Sequence, residues 1–201
     1  MSTMDLIDFK SVFDRAVSNH LTIVEKLSEL YPNIERLAHL MGTCIARGGK
    51  VMWMGNGGSA ADSQHLASEL VGRFRRERRG LASIALTTDS SVLTSVGNDF
   101  SFEYIFARQV EALGRPGDIL VGISTSGNSA NISAGIQMGR KLGLTTVGLL
   151  GGNGGKVAEL CDLALIVPAN DTPRVQEAHI LIGHILCELI EADHDLATTA
   201  N

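Results

Sequence analysis

Two glycine- and serine-rich segments are candidate anion-binding loops. Residues 55–59 read Gly-Asn-Gly-Gly-Ser, residues 124–129 read Ser-Thr-Ser-Gly-Asn-Ser, and each segment precedes a predicted helix. Backbone N–H groups at a helix start, with the positive end of the helix dipole, favour an anion such as a phosphate. The same residue types also cap helices and form turns. One such loop would be ambiguous, but two of them after successive core strands favour a phosphate site.

His65 and Glu69 are a candidate acid/base or metal-binding pair. They are four residues apart on the helix that follows the first loop, so they share one face. Such a pair can bind a metal or divide the acid and base roles of catalysis. The alternative is a hydrogen-bonded surface pair. Leu66 and Leu70 lie on or near the same side, which indicates that the pair is partly buried.

The last predicted helix adds Gln176 and His184 to the candidates. They are eight residues apart, so on one continuous helix they are ~12 Å apart along the axis. The two side chains can serve one centre only if the entry to the helix bends back or if different subunits supply them. A histidine in such an apolar helix is, taken alone, more often a core residue.

A basic run at residues 73–79 follows the helix that carries His65 and Glu69. Such a run is usually a solvated helix end and loop. Arg73 is nearest to the candidate site, and its guanidinium suits a sugar phosphate.

Two nucleotide-binding motifs fit the sequence poorly. Residues 151–156 resemble a P-loop only superficially, because the spacing is wrong and Val157 stands where Ser or Thr would hold magnesium. Residues 55–60 fit a loose dinucleotide fingerprint. However, no acidic residue ends a second strand at the expected distance of ~20 residues. We therefore expect no nucleotide cofactor.

The elements that must position these residues alternate between short apolar strands and helices. Strands are predicted near residues 50–54, 82–87, 118–123, 144–150 and 163–167, and the last helix near 174–191. This alternation predicts one α/β domain over residues 1–201, with a doubly wound, flavodoxin-like, five-stranded parallel sheet. A helical hairpin within residues 1–48 is expected to precede it, with a first helix at about 4–30, a break at Tyr31-Pro32-Asn33 and a second helix ending at Gly48. Ligands bind beyond the carboxyl ends of such strands, where both loops lie.

Composition limits the classes of partner. Of the 201 residues, 17 are Lys or Arg and 22 are Asp or Glu, so the net charge of −5 argues against nucleic-acid binding through overall charge. No apolar stretch approaches the ~18 residues of a membrane span. The first ten residues lack the basic segment and the apolar run that are typical of a signal peptide. We expect a cytoplasmic protein without nucleic-acid or membrane partners.

The two loops and the titratable residues together resemble a known family. The matching segments are Gly55-Asn56-Gly57-Gly58-Ser59-Ala60-Ala61-Asp62 with His65 and Glu69, Gly97-Asn98-Asp99, Ser124-Thr125-Ser126-Gly127-Asn128-Ser129, and Gln176-Glu177 with His179 and His184. This set resembles the sedoheptulose 7-phosphate isomerases, or phosphoheptose isomerases, of the SIS-domain superfamily. The resemblance extends over about residues 4–192.

The resemblance implies an aldose–ketose isomerase that converts sedoheptulose 7-phosphate to D-glycero-D-manno-heptose 7-phosphate through an enediol, for the lipopolysaccharide core. It implies a homotetramer with active sites between subunits, and Glu69 and His184 as the acid/base pair. The implied zinc ligands are His65, Glu69, Gln176 and His184. The implied substrate contacts are Asn56, Gly57, Gly58, Ser59, Glu69, Arg73, Asn98, Asp99, Ser124, Thr125, Ser126, Ser129 and Gln176, with the phosphate held by the serines and Thr125.

Two other functions occur on the same fold. Some relatives are non-catalytic tetramers that bind the replication initiator, and those lack the carboxylate that corresponds to Glu69. A regulator that senses phosphosugars would be expected to carry a DNA-binding segment, for which 201 residues leave no room. The presence of Glu69 with His65 and His184 favours the enzyme, because matched site roles are better evidence than fold.

Overall fold

The alternating strands and helices predicted from the sequence are present in the computed structural model, which describes residues 8–192. The helices are Phe9–Lys26 (α1), Tyr31–Ala46 (α2), Gly58–Val71 (α3), Ser90–Asp99 (α4), Ile105–Leu113 (α5), Ala130–Lys141 (α6), Gly155–Leu160 (α7) and Thr172–Ala192 (α8). The strands are Val51–Gly55 (β1), Ser83–Ala85 (β2), Ile119–Ser124 (β3), Thr145–Gly151 (β4) and Leu163–Val167 (β5). Short 3₁₀ helices span Leu27–Leu30 and Phe102–Tyr104.

The five strands form one parallel sheet in the order β2-β1-β3-β4-β5. This order confirms the predicted flavodoxin-like, doubly wound sheet. Every residue of β1 and β3 is buried, as expected for central parallel strands covered on both faces. Gly55 of β1 pairs with Ile123 of β3, so the two candidate loops leave the sheet side by side.

Helices cover both faces of the sheet. On one face, α2, α3 and α8 pack over side chains that include Trp53 and Val121. On the other face, α5, α6 and α7 pack over side chains that include Met54 and Leu120. The strands alternate their side chains between the two layers, so each strand contributes to both cores.

The N-terminal helices are present but do not form the predicted hairpin. The chain stays helical through residues 26–31, so α2 continues from α1 through a single 3₁₀ turn. Pro32 was expected to break the helix, but it lies in the first turn of α2. Proline is tolerated there because the first N–H groups of a helix have no partner within it. Both helices pack against α8. Residues 4–7 of the predicted first helix lie outside the described residues.

Helix α8 is slightly longer than the predicted 174–191 and carries two of the candidate residues. Its buried side chains include Val175, Ile182 and Leu186, which belong to the core over the sheet. Gln176 and His184 are partly buried and face α3. Within residues 8–192, no helix is both long enough and apolar enough to cross a membrane.

Candidate active site

The first glycine-rich loop connects β1 directly to α3. Gly57 is the N-cap of α3 and has a φ of 55°, a value that favours glycine. Among the described residues, no side chain caps the first N–H groups of α3. By contrast, the carboxylates of Asp8 and Asp89 cap α1 and α4. The N–H groups at the start of α3 can therefore donate hydrogen bonds to a ligand oxygen.

The second loop connects β3 to α6 and is held by its own hydroxyl groups. Ser124 Oγ lies 3.0 Å from Ser129 Oγ and accepts a 3.1 Å hydrogen bond from the N–H of Gly127. Gly127 has a φ of 65°, and a Cβ there would collide with the backbone of Gly154. Ser129 is the N-cap of α6, yet in the described chain its side chain does not cap that helix. This loop thus also presents free N–H groups beside hydroxyls.

A reciprocal pair of amides joins the two loops. Asn56 Nδ2 donates to Asn131 Oδ1 at 2.9 Å, and Asn131 Nδ2 donates to Asn56 Oδ1 at 2.8 Å. Asn131 is buried in the first turn of α6, and its Oδ1 also accepts from the N–H of Ile132. The spacing between the start of α3 and the start of α6 is therefore set by side-chain hydrogen bonds.

The titratable candidates meet between α3 and α8, in what we term the α3–α8 cleft, lined by His65, Glu69, Gln176 and His184. His65 Nε2 lies 2.9 Å from His184 Nε2 and 3.3 Å from Glu69 Oε1. The side chain of Glu69 is 20% exposed and that of His65 is 46% exposed, so the predicted partial burial is clearest for Glu69. The ring of Phe74 stacks on His184 with centroids 5.5 Å apart.

Gln176 lies at the other end of the cleft and contacts a different partner. Its Nε2 donates to Asp62 Oδ1 at 3.4 Å, one turn of α3 before His65. A Cβ on Gly58 would collide with the Gln176 side chain. Asp62 is buried, and its Oδ2 has no hydrogen-bond partner in the described chain. Burial raises the pKa of this carboxyl, against the lowering effects of Gln176, His65 and His184.

The cleft contains donor atoms of the kinds that zinc prefers. Two imidazole nitrogens bound to one tetrahedral zinc would be about 3.3 Å apart, close to the 2.9 Å between His65 and His184. The carboxylate of Glu69 lies beside them. In the arrangement that the structure describes, no three or more His, Cys, Asp or Glu residues converge as a ready metal site. Gln176 is directed to Asp62.

Comparisons with known proteins agree over most of the chain. Residues 15–151 match the SIS domain family. The phosphoheptose isomerase of Geotalea daltonii is 54% identical over 176 residues, which are 87% of this chain and 92% of that protein. The phosphoheptose isomerase of Aquifex aeolicus is 51% identical over 90% of this chain and 94% of its own length.

The chain belongs to the phosphoheptose isomerase family of SIS-domain proteins. The solved structure of the phosphoheptose isomerase from Neisseria gonorrhoeae matches with a TM-score of 0.87 and 40% identity, over 92% of this chain and 99% of that one. The Francisella tularensis enzyme matches with a TM-score of 0.85 and 37% identity, over 96% of this chain and 100% of that one. The resemblance predicted from the motifs is therefore confirmed.

Three residues that the family resemblance assigned to the substrate are exposed in the described structure. Asn98 and Asp99 are exposed at the end of α4, where Asn98 Nδ2 donates to Asp99 Oδ1. Arg73 is exposed just after α3. Ser59 is buried, whereas Ser126 is exposed. The structure brings Ser124 and Ser129 together and brings His65, Glu69 and His184 together.

Three residues of this phosphoheptose isomerase family member received no role from sequence reasoning. Asp62 was part of the motif, and Asn131 and Phe74 were not singled out. A signal existed for Asn131, which is a polar residue next to the buried Ile132 in an otherwise apolar helix face. Phe74 is the single aromatic residue in a run of charged residues. Neither signal identifies the residue that the side chain contacts, because Asn56 and His184 are distant in sequence from Asn131 and Phe74.

Proposed function

We propose that the chain is an aldose–ketose isomerase that converts sedoheptulose 7-phosphate to D-glycero-D-manno-heptose 7-phosphate. The observation that carries this proposal is the carboxylate of Glu69 beside His65 and His184 in the α3–α8 cleft. The 54% identity to a phosphoheptose isomerase supports the substrate class. A phosphosugar-binding protein without catalysis does not need a carboxylate beside two imidazoles.

The phosphate of the substrate binds at the starts of α3 and α6, which the Asn56–Asn131 pair joins and which we call the paired helix starts. In the described structure, the N-cap residues of α3 and α6 make no side-chain bond to the N–H groups that open these helices, and among these groups Asn131 Oδ1 accepts only from the N–H of Ile132. The hydroxyls of Ser124 and Ser129 lie at the second helix start, and Ser59, Thr125 and Ser126 belong to the same two loops. Neutral donors and helix dipoles can hold a dianion without a nucleotide or a metal.

The reaction moves one carbon-bound proton and one hydroxyl proton. Glu69 removes a proton from C1 of the ketose, and the C–H electron pair forms the C1–C2 double bond. The π pair of the C2 carbonyl moves to its oxygen, which takes a proton from His184, and an enediol results. Glu69 then returns a proton to C2 while the C1 hydroxyl becomes the aldehyde. His184 carries the hydroxyl proton between the two oxygens. A positioned acid/base group contributes about 10²–10⁴-fold to such a step.

A zinc ion is proposed as the cofactor of the cleft. His65, Glu69 and His184 would hold it, and Gln176 would be the fourth ligand. A bound zinc polarises a carbonyl and stabilises enediolate oxygens. Protein purified without chelator should contain about one zinc per chain. His65→Gln should lose the zinc, whereas the exposed His39→Gln should keep it. Metal-free protein with full activity would contradict this assignment.

The active site is proposed to be completed between subunits of a homotetramer. Helix α1 exposes a row of apolar side chains, namely Phe9, Val12, Phe13, Val17 and Leu21. An exposed apolar row on an amphipathic helix indicates a protein interface. Helix α8 is continuous, so Gln176 and His184 stay two turns apart. Sedimentation should give four times the chain mass, and a monomer with full activity would contradict the shared site.

A cavity of about 730 Å³ does not coincide with this site. Its lining includes His39 and Arg47, and Thr145 at the amino end of β4, on the opposite edge of the sheet. In the single chain the side chain of His65 is 46% exposed, which supports a site that a neighbouring subunit closes. A cytoplasmic location and a supply of heptose to lipopolysaccharide stay predictions from the resemblance.

The test is to incubate the purified protein with sedoheptulose 7-phosphate and to follow the aldose by NMR. Conversion is expected, and sedoheptulose without the phosphate should be a poor substrate because the paired helix starts then bind nothing. Tight binding of the phosphosugar without conversion would contradict the proposal and favour a binding or regulatory protein.

A further inference from the structure

The basic run after α3 is anchored by one buried carboxylate. We call residues 73–79 the arginine loop. Glu191, near the end of α8, has a side chain only 2% exposed. Its carboxylate accepts the backbone N–H groups of Phe74 at 2.8 Å, Arg75 at 2.8 Å and Arg76 at 3.0 Å. Most side chains of the loop are exposed, as its composition suggests, but this carboxylate holds its backbone.

Arg78 joins this anchor to the end of α3. Its Nε lies 3.0 Å from Glu191 Oε1, and its side chain is 8% exposed. The two Nη atoms donate to the carbonyls of Glu69 at 2.8 Å and Leu70 at 2.9 Å. The last carbonyls of a helix lack partners within it, so a guanidinium placed there satisfies them.

The ion pair therefore supports both residues of the proposed acid/base pair. Arg78 binds the backbone of Glu69. Glu191 binds the N–H of Phe74, whose ring stacks on His184 with an interplanar angle of 19°. His184 and Glu191 both belong to α8 and are seven residues, or about two turns, apart.

The charge state of Glu191 agrees with this geometry. Burial alone would raise the pKa of its carboxyl, but the three backbone N–H groups and Arg78 together hold the pKa below its usual value. A buried ion pair that loses one partner leaves an uncompensated charge, which is strongly unfavourable. The loop and the ends of α3 and α8 are expected to move together when either partner is removed.

We propose that Glu191 and Arg78 are positioning residues that fix the orientations of Glu69 and His184 for proton transfer. This inference rests on the proposed isomerase function. Neither residue touches the substrate in this scheme. They act through the arginine loop, which seats Phe74, and through the final carbonyls of α3.

The first experiment compares Glu191→Gln with Glu188→Gln in steady-state kinetics. Glutamine keeps the size of Glu191 and one acceptor oxygen but loses the charge. The value of kcat should fall about tenfold to a hundredfold, because small misplacement of catalytic groups has effects of that size. KM should change less than about threefold. Glu188 is half exposed, one turn earlier on α8, and 3.4 Å from Arg75. Its substitution should leave kcat unchanged.

The second experiment reads the geometry of His184 without turnover. The ring current of Phe74 displaces the His184 Cε1–H signal in a ¹H–¹³C NMR spectrum, and His184→Gln assigns that signal. Glu191→Gln and Phe74→Leu should remove the displacement and lower kcat about tenfold or more. Phe74→Tyr retains the ring and should retain both the displacement and kcat.

The outcomes separate this inference from the proposed function. If the unaltered enzyme does not convert sedoheptulose 7-phosphate, the proposed function is wrong, and the NMR signal still shows whether Glu191 seats Phe74 on His184. If it does convert the substrate and Glu191→Gln keeps both kcat and the displaced signal, the positioning role is overturned. Should Glu191→Gln fail to fold, Phe74→Leu decides: an unchanged kcat overturns the inference, and a fall that Phe74→Tyr does not show supports it.

Discussion

The serine-rich loop and the α3–α8 cleft are assembled differently. In the loop, Ser124, Gly127 and Ser129 bond to one another within six residues of chain. In the cleft, His65 contacts His184, which lies 119 residues further along the chain. The loop depends on local backbone geometry, whereas the cleft depends on how two helices pack and on the residues that hold their ends.

The two regions also differ in the groups that they present. The loop offers neutral hydroxyl and N–H donors at a helix start, which suit a fixed negative charge. The cleft offers a carboxylate and two imidazoles, which can exchange protons. Changes in the loop are therefore expected to alter mainly KM, and changes in the cleft mainly kcat. The following predictions test that division from the largest effect to the smallest.

Glu69→Gln should abolish turnover while the fold persists. The amide has nearly the same shape but cannot accept the carbon-bound proton, so kcat should fall about 10³-fold or more. Steady-state kinetics measure the loss, and circular dichroism checks the fold. Glu77→Gln, in the exposed part of the arginine loop, is the matched control and should keep its activity. A Glu69→Gln enzyme with normal kcat would remove Glu69 as the proton carrier.

Asn131→Ala should affect both regions because it removes the amide pair between them. Two hydrogen bonds, at 2.9 and 2.8 Å, are lost with Asn56. At about 1 kcal/mol each, kcat/KM should fall roughly thirtyfold. Asn153→Ala, in the exposed turn before α7, is the control. If kcat/KM of Asn131→Ala equals that of the control, the two loops do not depend on this pair.

Ser124→Ala should weaken phosphate binding without a comparable loss of chemistry. The change removes the acceptor for the Gly127 N–H and the neighbour of Ser129 Oγ. One hydrogen bond is worth about 1 kcal/mol, so KM should rise roughly fivefold while kcat changes little. Ser28→Ala, exposed in the first 3₁₀ turn, should leave KM unchanged. A fall in kcat alone would contradict the division between the regions.

His179 should affect stability at acid pH with little effect on catalysis at neutral pH. Burial lowers its pKa to about 4, and the bond to the Leu150 carbonyl offsets this only in part. The unfolded chain has a pKa of about 6.5 at this residue, so between those values the unfolded state binds the extra proton. The free energy of unfolding must then fall as pH falls from about 6.5 to about 4, by at most on the order of 3 kcal/mol.

Urea unfolding at several pH values tests this sign. His179→Gln should show a smaller decrease in unfolding free energy over that range than the unaltered protein, while the exposed His39→Gln should show the same decrease. An equal pH slope in His179→Gln would mean that His179 is not the buried neutral group described here.

The parts of the molecule that depend on neighbouring residues could be predicted from the sequence. The alternation of strands and helices and the placement of both loops followed from short apolar runs that end in glycine and serine. The hairpin prediction was wrong because Pro32 gives the same signal at a helix break and at a first helical turn. Asn131, Phe74 and Glu191 could not be assigned roles, since each acts through a partner that only the packing of α3, α6 and α8 brings near.

The reaction of sedoheptulose 7-phosphate in deuterium oxide tests the central claim most directly. Proton transfer through Glu69 and an enediol predicts that the aldose product carries deuterium at C2. The Glu69→Gln enzyme should form no such product. Formation of this aldose by the Glu69→Gln enzyme at the rate of the unaltered enzyme would contradict the account, because Glu69 would then not carry the carbon-bound proton.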